Sequence, residues 1–436
     1  MPRRVLMVTP HFPPDTMAAT HRVRLLAPYL GEYGWQPIVL TIDPSGYEHQ
    51  LDEALMTLVP RDLRVVRCRA LSPRWTRRVG LGDLGLRAFI PALRTASSLI
   101  DRERVDAVFI TTYPIYTAAL GPLLKRRYRI PFVIDVQDPW VGAWGRTVGG
   151  GANGAPDLKS RASRQLARAI EPAVFRGADA ITAVSERTID DIRSRVPAAR
   201  HTPAAEIPLG GDARDFAEIA NSAHRQTYFD PADGLVHVCA VGTLLPLGIE
   251  VASAVFAALA RLRASRPDIA NRLRLHFFGT SNERRDDAAD RALPLARAAG
   301  VADLVTEHAR RIDYVEAVRV QLDASALLLL GSSEPHYTAS KLYPALLARR
   351  PLLAVYHEAS PVTAVLRAHT RPPTVHAISF DDRDPVTARI DRIAAALEAI
   401  ATNPTYRESD VDPTALTEHS ARALAGRLAD VLSRVA

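Results

Sequence analysis

Cysteine is almost absent: Cys68 and Cys239 are the two among 436 residues. They stand in different halves of the chain within apolar surroundings, which excludes a disulfide framework and predicts two reduced core residues. No uncharged apolar run reaches the ~18 residues a spanning helix needs. The opening MPRRVLMVTPHFPP breaks into prolines after a stretch too short for a secretion signal. Neither Cys-x-x-Cys nor His-Glu-x-x-His occurs, and there is no P-loop sequence, so no metal or cofactor is expected. No helix-turn-helix, zinc-knuckle or RNP-like sequence is found, so nucleic acid is not expected as a partner.

What is present is ordinary for a globular protein, with 47% apolar and 24% charged residues, and long enough for two domains. The net charge of +7 is uneven. Residues 1–205 hold 29 Lys/Arg against 19 Asp/Glu, and the remainder 26 against 29, so the halves carry +10 and −3. Such asymmetry points to an anionic partner for the first half. Arg61, Arg64, Arg67, Arg69, Arg74, Arg77 and Arg78 form one dense run, and Lys125, Arg126, Arg127 and Arg129 another. Between them Leu86, Phe89, Ile90, Leu93 and Ile100 share one helical face, with Arg87 and Arg94 on another. This pattern predicts peripheral contact with an anionic membrane and a cytoplasmic protein at its inner face. The simpler alternative is a solvated arginine-rich surface.

Apolar strands alternate with helical patterns, which predicts α/β structure with parallel sheets. First-half strands are expected at Val5–Thr9, Pro37–Thr41, Leu63–Arg67, Ala107–Thr111, Phe132–Val136, Ala180–Val184 and Glu206–Pro208. Second-half strands are expected at Val236–Val241, Leu273–Phe278, Val305–Glu307, Ala326–Leu330 and Leu352–Val355. Ser185 reads as the N-cap of a helix from Glu186, and Asp313 with Glu316 as a capping box ahead of a helix from Tyr314. Residues 213–234 lack a strong strand and read as a connection. The glycine-rich segment 142–156 reads as either a lid or a surface insertion.

Residues 340–355, after the apolar run 324–330 and the polar loop 331–339, concentrate the signal: strand, loop, short helix, tight turn, strand. Lys341 stands at the helix start, where outward N–H groups and a cation together suit a phosphate. The segment KLYPALLARRPLLAV (341–355) resembles the donor-site segment of nucleotide-sugar glycosyltransferases of the GT-B architecture. It is similar in particular to the bacterial family-4-like enzymes of surface polysaccharide synthesis. VLMVTPHFPPDTMAATHRVRLLAPYLGEYGWQPIVLT (5–41), FVIDVQDPW (132–140), ADAITAVSERTIDDI (178–192) and IPLGGDARDF (207–216) resemble further segments of that family, in its order.

The resemblance implies α/β structure with two Rossmann-like parallel-sheet domains facing a cleft. It implies an acceptor-side domain over 1–212, the connection 213–234, a nucleotide-sugar-binding domain over 235–413 and a helix, 414–436, returning to the first domain. It also implies a glycosyltransferase, retaining and metal-independent, that moves sugar from an NDP-sugar to a lipid-linked or polysaccharide acceptor. A catalytically degenerate subunit, or another GT-B sugar-nucleotide enzyme, are the alternatives.

Such a reaction needs a grip on the diphosphate, a grip on the sugar and nucleoside, and a group that steers or deprotonates the acceptor hydroxyl. Donor-binding candidates are Lys341 with Leu342 at the helix start, Gly242 and Thr243 after a strand, and Arg310 and Arg311. Gly210 and Gly211 match a phosphate-side turn of the family. The glutamate pair of relatives falls at His336 and Pro344, with Glu334 nearby, and their Gly-Arg and Lys-Gly bases are missing from 242–248. Catalytic candidates are Asp138, at the end of a strand before Pro139, and His11 and His21 in the first loop, which titrate near neutral pH. Gln137 stands where relatives have arginine, and Ala18 and Ala19 where they have glycines. Asp135 lies on the opposite strand face from the functional end.

Overall fold

The computed structural model describes residues 2–79, 81–113, 115–137, 158–281, 283, 287–333 and 341–436. They form two compact units, residues 1–209 with 421–436, and residues 210–420.

The first unit is built on seven parallel strands: β1 (Arg3–Val8), β2 (Trp35–Ile42), β3 (Arg64–Cys68), β4 (Ala107–Thr111), β5 (Phe132–Val136), β6 (Ala180–Ala183) and β7 (Ala204–Glu206). Their order is β3-β2-β1-β4-β5-β6-β7. β1, β4 and β5 are almost continuous apolar runs because helices cover both sheet faces. One covering layer contains helix Leu84–Arg102, which buries its alanines Ala88, Ala92 and Ala96 and leaves Ile90 exposed. The other contains the helix Ala421–Val435. Its Leu424, Leu428 and Leu432 join Val5, Met7 and Phe109 in one core, and Trp35 Nε1 donates to Ser433 Oγ at 3.1 Å.

The second unit holds six parallel strands: β8 (Val236–Val241), β9 (Leu273–Phe278), β10 (Val305–His308), β11 (Ala326–Leu330), β12 (Leu352–His357) and β13 (Val375–Phe380). Their order is β10-β9-β8-β11-β12-β13. Each sheet therefore grows outward one way from its first strand and then reverses, leaving a gap at the carboxyl ends where neighbouring connections diverge.

The strands expected from sequence are present, except that β7 runs over Ala204–Glu206 and shares only Glu206 with the expected Glu206–Pro208. The edge strand β13 was not foreseen, since VHAISF carries a weak apolar alternation after two prolines. Ser185 Oγ accepts from Thr188 N at 3.3 Å, as an N-cap should. Asp313 precedes helix Tyr314–Asp323 but makes no side-chain cap hydrogen bond, so the capping box is not formed. Residues 213–221, read as connection, are a helix of the second unit, tied to it by Tyr314, whose hydroxyl donates to Asp215 at 2.7 Å. The expected last helix is two, Pro413–Glu418 and Ala421–Val435.

The basic run of the first half is partly structural. Arg87, read on a helical face apart from the apolar one, is 2% exposed and donates to Leu71 O, Gly46 O and Glu48. Arg64 pairs with Glu103, Arg77 with Glu48, and Lys125 with Asp179. Asp135 is likewise a scaffold residue, clasped by Arg22 through both carboxylate oxygens at 2.6 and 2.9 Å and by Thr182 at 2.7 Å.

Candidate active site

In the second unit the strand reversal falls between β8 and β11. Connections leaving these strands line a cleft of ≈ 440 Å³, part of it open solvent, with Gly242, Thr243 and Leu244 on one wall, Gly331 and Ser332 on another, and Lys341 across it. Three sequence-predicted donor residues thus converge. Gly242 has φ +118°, and a Cβ built there would lie 2.5 Å from Lys341 Nζ. Only glycine leaves room for the lysine to cross this backbone. Lys341 Nζ donates to Thr243 O at 3.2 Å. It has no acidic partner among the described residues, and burial lowers its pKa to about 8. An ammonium held in low dielectric against one carbonyl is poised for an anion.

The helix that follows, Leu342–Leu347, is under two turns long, so the ammonium contributes more to anion binding here than the helix start does. Leu342 is buried and serves packing. Arg310 is exposed and Arg311 partly so, in the connection after β10; neither lines the cleft around Lys341. Sequence reading missed Arg291, whose Nη1 donates at 2.8 Å to the carbonyl of Leu244, a residue of the cleft wall, although Arg291 itself does not line the cleft. Its position comes from Glu307, which accepts from the backbone N–H groups of Arg291, Ala292 and Leu293 and so seats the start of helix Leu293–Ala298. No motif marks this arrangement in the sequence. Gly211 is a packing glycine: a Cβ there would lie 2.5 Å from Leu347 Cδ1, and its N–H donates to His419 O. Gly210 precedes it at the start of this unit.

In the first unit the reversal lies between β1 and β4. His11, after β1, lines a separate open pocket of ≈ 740 Å³, part of it open solvent, with Tyr47, His49, Asp83 and Tyr113. His21 is not in that pocket lining; it sits on helix Thr20–Leu26, where its Nδ1 accepts from Arg24 at 3.1–3.2 Å. Gln137, at the end of β5, keeps a buried Nε2 without a partner among the described residues. Asp138, Glu334, His336 and the segment 142–156 lie outside the described residues. Among the described residues no three His, Cys, Asp or Glu side chains are grouped to hold a metal, and no helix is long and apolar enough to cross a membrane.

Two parallel-sheet units, each with a cluster of polar side chains at its strand reversal, define a GT-B fold. Residues 18–210 match the family model described as glycosyl transferase 4-like domain. The structure is similar over nearly its whole length to Anabaena HepE in complex with UDP and glucose, at 13% identity and a TM-score of 0.57, covering 99% of this chain and 100% of that one. It is also similar to the trehalose-6-phosphate synthase OtsA, at 11% identity and a TM-score of 0.57, with 99% of each chain covered. The N-terminal domain of Candida albicans trehalose-6-phosphate phosphatase gives 13% identity and a TM-score of 0.57, covering 100% of this chain and 98% of that one. No curated protein matches the chain in sequence. The chain thus has the GT-B fold, and its residues 18–210 carry the likeness to the glycosyl transferase 4-like domain.

The buried ammonium has a stability signature. Lys341 titrates near 8 in the folded chain against 10.5 for the ordinary side chain. Between these values the unfolded chain binds the extra proton, so stability rises with pH. Below about 8 the cost of burying the charge is felt in full. Melting curves of wild type and Lys341→Met from pH 7 to 10.5 should therefore converge as pH rises, with the variant at least as stable as wild type near pH 7. A clear loss of stability in the variant at pH 7 would contradict the unpaired state of the ammonium.

Proposed function

We propose that the chain transfers a sugar from an NDP-sugar to a lipid-linked or polysaccharide acceptor in cell-surface glycan synthesis, without a metal ion and with retention of configuration. The observation that carries this reading is Lys341, whose buried ammonium meets only the Thr243 carbonyl among the described residues. A diphosphate placed there would gain a charge-assisted hydrogen bond, and the same contact would strengthen as negative charge develops on the leaving diphosphate. The UDP of the HepE complex supports a uridine nucleotide as the first to test. In the first unit, His11 and Asp138 are the groups proposed to engage the acceptor hydroxyl.

Contact with an anionic membrane is part of the proposal. Leu71, Trp75, Leu81 and Ile90 are large exposed apolar residues, Trp75 at 69%. Arg78 lies over the Trp75 ring at 4.9 Å, and Arg69, Arg74 and Arg94 are close in sequence. Such a mixture suits an interface of headgroups and acyl chains.

Thermal melts against UDP, GDP, TDP, CDP and their sugars test the donor site. One nucleotide should stabilise wild type, by about 2.7 kcal/mol at ~100 times its Kd, and fail to stabilise Lys341→Ala. No shift with any nucleotide would favour a catalytically degenerate subunit. In vesicle flotation, wild type should float with phosphatidylglycerol-rich vesicles and Trp75→Ala should float less. Equal flotation of both would remove Trp75 from the contact.

A further inference from the structure

A buried histidine cluster lies on the half of the second sheet formed by β8, β9 and β10, and none of its histidines lines the Lys341 cleft. His237 of β8 and His276 of β9 are diagonal neighbours on one sheet face, 2% and 5% exposed. His237 Nδ1 is 2.9 Å from His276 Nε2. His308 of β10 stands opposite Phe278 of β9.

Residues 222–235, between helix Ala213–Asn221 and β8, lie over these histidines as a strap. The Phe229 ring stacks on His237 and His276, with centroids 4.5 and 4.9 Å away. Tyr228 meets His308 at 4.6 Å and Phe278 at 4.9 Å. Buried Gln226 holds the strap's turn: its Nε2 donates to Phe229 O at 2.7 Å, and its Oε1 accepts from the N–H groups of Tyr228 and Phe229 at 2.7 and 3.1 Å.

The strap is fastened to the sheet by a hydrogen-bond chain with one consistent placement of protons. His237 Nε2 faces two strap acceptors, Asp230 O at 3.1 Å and Asp233 Oδ1 at 3.0 Å. Slight burial would raise the Asp233 pKa, but bonds from Leu235 N–H and then His237 outweigh it and hold the group below its ordinary value. An ionised carboxylate only accepts, so His237 Nε2 carries hydrogen and Nδ1 of the neutral ring is a bare lone pair. His276 Nε2 then donates to it. The lone pair of His276 is left on Nδ1, buried and without a hydrogen-bond partner among the described residues. A further proton finds no favourable place. On His237 Nδ1 it would face another N–H, and on His276 Nδ1 it would bring a buried charge with no acceptor.

The surrounding groups do little to offset such a charge. Arg274, on the same strand, is itself positive and donates to Asn271 O and Leu273 O. His308 Nε2 is buried, again without a partner among the described residues. Cys239, opposite His276, is a thiol held well above its ordinary pKa by burial. Glu307 is committed to the N–H groups of Arg291, Ala292 and Leu293. Tyr228 faces Glu316 on helix Tyr314–Asp323, with Arg310 and Asp313 close by. Burial first, then the charges of His237, His308 and Arg274, push His276 down to about 4 against a small opposing effect of Asp233, and burial lowers His308 as well.

We propose that residues 222–235 form an acid-released latch: protonation of the His237–His276 pair undoes the fastening and frees the strap, while the sheet beneath stays folded. The latch depends on neither the Lys341 cleft nor the pocket of the first unit. Lifting the strap lets water reach the imidazoles, so the open form binds protons more tightly than the closed one. The latch therefore holds fully above the ordinary histidine value of 6.5 and gives way progressively toward 4. His276 alone makes a fall from pH 7.5 to 5.0 shift the balance toward the open strap about thirtyfold.

Hydrogen exchange of the whole chain, followed by mass spectrometry at pH 7.5 and 5.0 and normalised to the intrinsic rate at each pH, tests this. Amides of 226–235 should lose protection about tenfold or more at pH 5.0, and those of β11 and β12 should keep theirs. His276→Gln keeps an amide N–H to offer His237 and cannot take a proton, so its strap should stay protected at pH 5.0. Phe229→Ala removes the ring that covers both imidazoles and should open the strap at both pH values. Equal protection of the wild-type strap at the two pH values overturns the proposal, and so does the same acid loss in His276→Gln. Loss of protection in β11 and β12 together with the strap also overturns it, because the sheet and not the strap is then responding to acid.

Discussion

Each sheet reverses its strand order once, and the two strands flanking the reversal send their connections apart. No crossover helix fills the space between them, so side chains on those connections can meet without burying one another. In the second unit the space receives Gly242, Thr243 and Lys341. In the first it receives His11 and Tyr113. The chemistry of each site is then set by what its neighbours leave unsatisfied. Among the described residues, one leaves a cation without a carboxylate, and the other leaves an imidazole nitrogen without a donor.

The two clusters reach those states by opposite means. Lys341 is kept poor in partners: glycine opens the backbone at position 242, and the ammonium finds one carbonyl. Its pKa falls to about 8 because burial disfavours the charged form. Asp15 is rich in partners, and the bonds and charge of His11 and His49 overcome a burial that would otherwise raise its pKa. A weakly compensated cation favours capture of an anion. A fully compensated carboxylate favours fixed orientation of whatever it holds.

The fold was legible in sequence because buried parallel strands are written as apolar runs, as in β4 and β5. Lys341 with Gly242 was legible too, since a lysine after one strand and a glycine after another mark the same edge of a parallel sheet. The misreadings share a cause. Arg87 looks like a surface arginine until Glu48, Gly46 and Leu71 fold around it. Gly211 looks like a phosphate turn until Leu347 packs on it. His49 gave no signal, because its bond to Asp15 joins residues 34 apart through the carboxylate's second oxygen. Arg291 was hidden for the same reason, being placed by Glu307. Periodicity records burial along one element and says nothing of side chains meeting across loops.

The central claim is that Lys341 receives the donor diphosphate, and proton linkage tests it most directly. Calorimetric titration of UDP at pH 8.5, repeated in buffers of different ionisation enthalpy, reports protons taken up on binding. A diphosphate beside an ammonium that titrates near 8 should raise its pKa, so binding should draw in a large fraction of one proton, and the uptake should vanish in Lys341→Met. Binding of UDP with no proton uptake, or with the same uptake in the variant, would place the diphosphate elsewhere and contradict the account.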